Sequence, residues 1–558
     1  MAKTATIKTT RTNNAKTIFD TFESWGSKND KKLLYAFIFL SLLFSALLFN
    51  ARISEAHDDA LYLEGGWRYV HEFPSYFYTQ NAPLYVMFLG LLVKVFGFKL
   101  LLFKIFNVIF NLLSVIFFYK TFNKRIPYLI LLPVMLFVSC NYLIQYFASM
   151  TFTEAFYLFL QSLFFYYFFK LYDALRENPQ PQKHIKLWLM LGLFTFLISA
   201  CKSVAIVGVP ALILFFLIEK QWKNAAFSLG AYLAFKIPYE LIVRLIWGSQ
   251  NQFDGQSKIL LLKDPYNKAA GNDDLSGFIG RFFDNCELYL SKRFFQILGF
   301  QDEHSIQLNG FLALLVIVCT LAGLYFVFKK KEKPLFFLGL FTGAQILLSF
   351  IILQARWDQP RIILICMPVM LILIFYFLYQ LTYNKDMGRI IYIAVIALIS
   401  FSVMMSSVSR GMTNIPVVKK NLAGDIYFGY TPDWRNFLKC SRWCADSLPA
   451  NTLVASRKAP MSFVYGNGKK FFPIYSVIKK DSLTEQSNPD SALAFFRQNG
   501  VTHVMLGSLR IDPTKNTGQI INTVHNIVQP IMQKYPEKLK LIHTEGDVEQ
   551  SYVLEIKY

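Results

Sequence analysis

The sequence predicts a polytopic α-helical membrane protein that carries an α/β domain at its C-terminal end, and three observations predict it. Of the 558 residues, 54% are hydrophobic and only 17% are charged, a balance far from that of a water-soluble domain. Apolar runs of spanning length recur between Leu33 and Val408. From about Ser409 the runs shorten and are bounded by turn residues. The formal charge of +21 does not point to nucleic acid. The basic residues gather in short segments between apolar runs, where they act as topology signals and lipid contacts.

Residues 1–32 form a basic tail, and Lys28, Lys31 and Lys32 ahead of the run Leu33–Phe49 place it in the cytoplasm. That run is longer than a signal-peptide core and no small-x-small cleavage pattern follows it, so it reads as a retained anchor. The loop 51–83 then faces outward. Further apolar runs cover 84–97, 100–119, 127–146, 154–172, 187–200, 204–219, 225–247, 310–328, 335–353, 361–381 and 389–408. Lys170 with Arg176, Lys183 and Lys186, Lys220 with Lys223, Lys329 to Lys331 with Lys333, and Lys385 with Arg389 mark cytoplasmic connectors. The segments 201–203, 248–309, 354–360 and the tail 409–558 then lie outside. Lys120, Lys124 and Arg125 also read as cytoplasmic, against two full spans after the loop 51–83; the run 84–97 is short enough to dip in without crossing. The expected count is about 11 to 13 transmembrane helices, with the parity of the first three open.

The tail alternates short strand-like runs, 452–457, 469–475, 501–506 and 551–556, with helix-like segments at 433–448 and 489–500, the latter opened by Pro and closed by Gly. This is the pattern of one small α/β core. The seven cysteines show no metal-ligand spacing. Cys440 and Cys444 admit a local disulfide, but i,i+4 spacing on a helix is poor geometry and favours two free thiols.

Four constellations carry possible chemistry. Asp58 and Asp59, in HDDALY just beyond the first span, are costly to hold together at that depth unless they act as a base and a ligand; their plainer role is to cap a juxtamembrane helix from Ala60 to His71. Glu154 opens the fifth run on its outward side, as an acid or as a charge favoured at a helix N-terminus. Lys202 lies outside, against the inward bias of basic residues, as a phosphate ligand or a snorkelling lysine. Arg356, Asp358 and Arg361 stand at the outer mouth of the penultimate span. Two outward guanidinium groups ask for an anionic partner: Asp358, a lipid headgroup or a phosphate gripped bidentately.

In order along the chain these residues resemble the GT-C fold glycosyltransferases that use polyprenyl-phosphate sugars, among them the protein O-mannosyltransferases and the aminoarabinose transferases of lipid A. The acidic pair is followed by EGGWRYVHEF (64–73) and Asn-Ala-Pro-Leu-Tyr (81–85). VFGFKLLLFKIFN (95–107) is similar to the family's FG turn, TFTEAF (151–156) to its acidic helix start, ISACKS (198–203) to its threonine-lysine step, and QPRIILICMP (359–368) to its arginine-then-proline span. The resemblance covers residues 33–408, and the tail looks like the variable outer domain of such enzymes. The sequence departs in Asp59, where many relatives have Glu, in Ala82, where a second proline is frequent, and in Ile362, where tyrosine is usual.

The resemblance implies an inverting transfer of a sugar from a polyprenyl-phosphate carrier to an envelope glycolipid, glycan or protein on the outer face of a bacterial inner membrane. Asp58 would be the base, and Arg361 with Lys202 and Arg356 would hold the donor phosphate. Asp59, and His57 or Glu154, would orient the base or hold an optional divalent ion, Mg or Mn by carboxylates or Zn if His57 joins. The rivals are a lipid-linked glycan ligase or polymerase, a transporter or flippase, and a membrane anchor for the tail. A flippase would show charges inside spans and two matching broken halves, whereas the ionisable residues here sit mostly at outer span ends.

Overall fold

The computed structural model describes residues 17–248, 254–265, 270–301, 307–479, 486–512 and 518–558. Part of the basic tail and part of the loop 248–309 lie outside these. Every apolar run is helical. In chain order the first half comprises α1 (Ile18–Lys28), α2 (Asp30–Leu47), α3 (Asp58–His71), α4 (Pro83–Phe96), α5 (Leu100–Phe122), α6 (Tyr128–Cys140), α7 (Tyr142–Ala148), α8 (Glu154–Glu177), α9 (Ile185–Cys201), α10 (Gly208–Ile218) and α11 (Trp222–Trp247). The second half adds α12 (Asp254–Leu261), α13 (Leu275–Glu287), α14 (Phe294–Ile297), α15 (Gly310–Lys329), α16 (Lys333–Ile352), α17 (Arg361–Leu364), α18 (Met367–Thr382) and α19 (Asp386–Leu422).

Among the described residues six helices are long and apolar enough to cross a membrane, and a seventh span results if α6 and α7, bent by 44°, count as one. This is fewer than the 11 to 13 expected: several apolar runs are short or broken, and α2, of 18 residues, and α8, of 24, are long and unbroken but carry charged residues. At 14 residues, α4 is about 21 Å long against a hydrocarbon core of about 30 Å. The run 127–146 breaks at Asn141, whose side chain accepts from the amides of Leu143 and Ile144 at 3.0 and 3.2 Å and so caps α7. The run 361–381 breaks ahead of Pro368, which cannot donate to a preceding turn.

Glycines set the place of α3. A Cβ on Gly66 would lie 2.9 Å from Leu89 Cβ and 3.0 Å from the Gly90 nitrogen, so α3 and α4 touch backbone to backbone. Only glycine permits that approach.

The last long helix does not stop near Ser409. It runs unbroken to Leu422 and includes Arg410, Thr413 and Asn414. The tail then folds as α20 (Pro432–Ser447), β1 (Val454–Ser456), α21 (Ala459–Tyr465), β2 (Phe471–Pro473), α22 (Pro489–Gln498), β3 (His503–Gly507), α23 (His525–Lys534), β4 (Leu539–Glu545) and β5 (Ser551–Ile556). The five strands form one sheet in the order β2-β1-β3-β5-β4, parallel across β2-β1-β3 and antiparallel across β3-β5-β4. Val454, Phe471 and Met505 face α20 and α21 on one side; Ala455, Val504 and Leu554 face α22 and α23 on the other. Cys440 and Cys444 are both free and buried.

Candidate active site

The acidic pair divides its work. Asp58 and Asp59 occupy the first turn of α3, where the helix dipole favours negative charge. Asp59 turns inward and is fully buried. Its carboxylate accepts from the Ser54 amide at 2.8 Å, the Ser54 hydroxyl at 2.9 Å and the Ala60 amide at 2.9 Å, closing the loop ahead of the helix. Burial nonetheless pushes this carboxyl up to about 6. Asp58 turns outward with 28% of its side chain exposed and pairs with the guanidinium of Arg361.

Arg361 opens α17. Its Nε donates to Gln359 Oε1 at 2.8 Å, and its guanidinium stands 5.2 Å from the centre of the Phe152 ring. Glu154, at the start of α8, is buried and accepts from Lys202 Nζ at 2.7 Å through Oε1, while Oε2 has no hydrogen-bond partner. Asp58, Arg361, Glu154 and the Tyr62 phenol share one electrostatic neighbourhood. Four residues singled out in the sequence, Asp58, Arg361, Glu154 and Lys202, are therefore brought together.

Arg356 is not with them. Its side chain is 61% exposed and pairs with Asp264, while Asp358 binds Lys292 Nζ at 2.7 Å and Arg293 Nε at 2.6 Å. His57 also turns elsewhere. Its ring meets Tyr475 edge-on at 5.9 Å, and burial, reinforced by Lys458 and Arg457, holds it neutral, well below the usual histidine range. Among the described residues no group of three His, Cys, Asp or Glu side chains gathers to hold a metal ion. Asp58, Asp59 and His57 do not fit one. The first faces a guanidinium, the second is filled by amide and hydroxyl donors, and the third faces two cations.

Three contributors were not singled out in the sequence. Lys104, fully buried in α5, donates to the carbonyls of Asn50 at 2.8 Å, Arg52 at 2.6 Å and Ser149 at 3.1 Å, tying the outer loop to the segment before α8. A lone lysine within an apolar run is the signal that marks it. Arg52 and Arg410 line, with Arg361, a cavity of about 600 Å³ whose wall combines apolar side chains such as Leu48, Leu143 and Phe147 with polar ones such as Asn50, Gln296 and Gln359. Arg52 lies 4.5 Å from the Tyr430 ring and Arg410 4.1 Å from the Tyr142 ring. Three guanidinium groups above a partly apolar wall suit an anionic head on an apolar chain.

Comparison with solved structures decides the architecture. The crystal structure of ArnT from Cupriavidus metallidurans bound to undecaprenyl phosphate aligns with a TM-score of 0.55 at 10% identity, over 93% of this chain and 97% of that one. The chain has the GT-C fold. Another GT-C neighbour, the oligosaccharyltransferase AglB from Archaeoglobus fulgidus in complex with an inhibitory peptide and a dolichol-phosphate, aligns at 0.53 with 12% identity, over 87% and 70% of the two chains. The Archaeoglobus fulgidus oligosaccharyltransferase in complex with Zn and sulfate aligns at 0.54 with 12% identity, over 85% and 68%. No family model matches the sequence, and no curated protein matches it.

Proposed function

We propose that this protein is an inverting glycosyltransferase that moves a sugar from a polyprenyl-phosphate carrier to an acceptor of the cell envelope, on the outer face of a bacterial inner membrane. The observation that carries the reading is the Asp58–Arg361 ion pair at a cavity with three arginines over a partly apolar wall. A polyprenyl phosphate would place its chain along the wall and its phosphate against Arg361, Arg52 and Arg410. In drawing Arg361 toward the phosphate, it would free the Asp58 carboxylate to act as base.

The acceptor hydroxyl or amine then gives its proton to Asp58 as its oxygen or nitrogen bonds to the anomeric carbon. The bond from that carbon to the phosphate oxygen breaks with inversion, and the electron pair leaves on the phosphate, stabilised by Arg361. Lys202, tied to Glu154, sits close enough to tune the same field. Asp59 keeps the loop in place, and no step passes through a metal ion.

The test is mass spectrometry of envelope glycolipids, glycans and proteins with and without the gene, complemented by wild type or Asp58→Asn. A sugar increment present only with the wild-type gene supports the reading. Unchanged envelopes in all three strains overturn it.

A further inference from the structure

The first helix docks on the protein with only part of its apolar surface. Successive residues of α1 turn by about 100°, so Phe19, Glu23 and Gly26 share one face and Ile18, Phe22 and Trp25 the flank beside it. The face is covered. The buried Phe19 ring lies 5.3 Å from that of Tyr379 and 5.6 Å from that of Tyr392. A Cβ on Gly26 would meet the Tyr128 ring at 2.5 Å, and Glu23 accepts from the amides of Tyr128 at 2.8 Å and Leu129 at 3.1 Å, capping α6 from a neighbouring helix. The flank is left bare: Ile18 is 57% exposed and Trp25 47%.

The elements beside α1 indicate what covers that flank. Tyr35 and Phe39 are exposed on α2, and Met387, Ile390 and Ile391 on the first turns of α19, the helix whose Tyr392 touches Phe19. Because α19 is long and apolar enough to cross a membrane, the bare flank continues a surface suited to lipid, at the level where α6 and α19 begin. A tryptophan is at home at such a boundary. The charge is matched as well. Lys28, Lys31 and Lys32 are exposed around the junction of α1 and α2, with no ion pair among the described residues. The acids nearby are engaged within the protein: Asp20 accepts from the Thr17 hydroxyl at 2.6 Å, Asp30 from the phenols of Tyr119 at 2.8 Å and Tyr128 at 3.0 Å, and Asp386 pairs with Arg389 at 2.7 Å.

We propose that α1 is an interfacial helix that docks on anionic phospholipid in the leaflet meeting the N-terminal end of α2. Ile18, Phe22 and Trp25 enter the acyl boundary, and Lys28, Lys31 and Lys32 hold the headgroup phosphates. The docking is independent of the glycosyltransfer reading. The experiment places full-length protein, with its native cysteines replaced, in nanodiscs of phosphatidylcholine and attaches a bimane fluorophore at Trp25→Cys or at Ser24→Cys on the polar face. A small share of the lipid carries a nitroxide near the headgroup end of its chain, as phosphatidylglycerol in one preparation and as phosphatidylcholine in the other. Bimane at position 25 should be quenched by the phosphatidylglycerol at least about threefold more than by the phosphatidylcholine, and should be shielded from aqueous acrylamide relative to position 24. Lys28→Gln, Lys31→Gln and Lys32→Gln together should make the two lipids equal, while Lys28→Arg, Lys31→Arg and Lys32→Arg together keep the preference. That retention excludes misfolding as the cause of the loss. Equal quenching by the two lipids with the native lysines in place, or a preference that survives the triple glutamine substitution, overturns the headgroup site. Acrylamide reaching position 25 as readily as position 24 overturns the interfacial placement and gives the flank to a soluble protein.

Discussion

Asp58 and Asp59 are identical in type and adjacent on one turn, yet a rotation of about 100° about the helix axis gives them opposite surroundings. Asp59 accepts three hydrogen bonds in the interior, and Asp58 faces a guanidinium at a cavity. Asp58→Asn should therefore abolish transfer, by at least about a thousandfold, with little change in thermal stability, as read by initial rates and melting curves. Asp59 carries a different signature. Burial raises its folded pKa above the ordinary 3.8, against the pull of Lys104, so the folded state binds the proton more tightly. Its contribution to stability is complete below about pH 4 and is lost as the pH rises through the raised folded value. The melting temperature of wild type relative to Asp59→Asn should fall across that window, and a flat difference would refute it. The two arginines separate in the same way. Arg361→Lys should weaken donor affinity and turnover because an ammonium lacks the planar fork, whereas Arg356→Lys, at an exposed pair with Asp264, should leave both near wild type in rates measured against donor concentration.

At the scale of elements, the site depends on where α3 and α8 begin. Lys104 holds the carbonyls of Asn50 and Arg52 against that of Ser149, so the first turns of α3 and α8 stand at a fixed separation. Lys104→Met would leave these carbonyls without their buried donor, at a cost of about 3 kcal/mol. Transfer should fall sharply while helical content by circular dichroism is retained. The sequence made the apolar helices, α20, α22 and most strands legible because apolar period and turn residues act locally: β1, β2 and β5 lie within the runs expected for them, and β3 passes the end of its run by Gly507 alone. It did not reveal β4, whose Lys540, His543 and Thr544 interrupt the apolar pattern of an edge strand. Nor did it show that Asp358 serves Lys292 and Arg293 rather than Arg356, since that choice is made by a π-helical turn at Leu288–Arg293, distant in sequence.

At the scale of the whole molecule, the tail is docked on α3 and on the loop that leads into it. Tyr430 donates to the Ile53 carbonyl, Trp67 of α3 meets Phe463 of α21 at 5.3 Å, and Lys470 reaches Glu72 at 3.7 Å. The side of the membrane on which the tail lies is therefore the side on which Asp58 lies, and one labelling experiment decides both. The basic flank of the first span predicts that this side is outside. With the native cysteines replaced, a cysteine at Ser476, exposed at the end of β2, should react with a membrane-impermeant thiol reagent in cells whose outer membrane has been permeabilised. One at Ser27, exposed on α1 ahead of the first span, should react only after lysis. The reverse pattern would put the cavity, the acid and the tail in the cytoplasm together. An envelope acceptor would then be out of reach, because the contacts between tail and loop leave no arrangement in which the two lie on opposite sides.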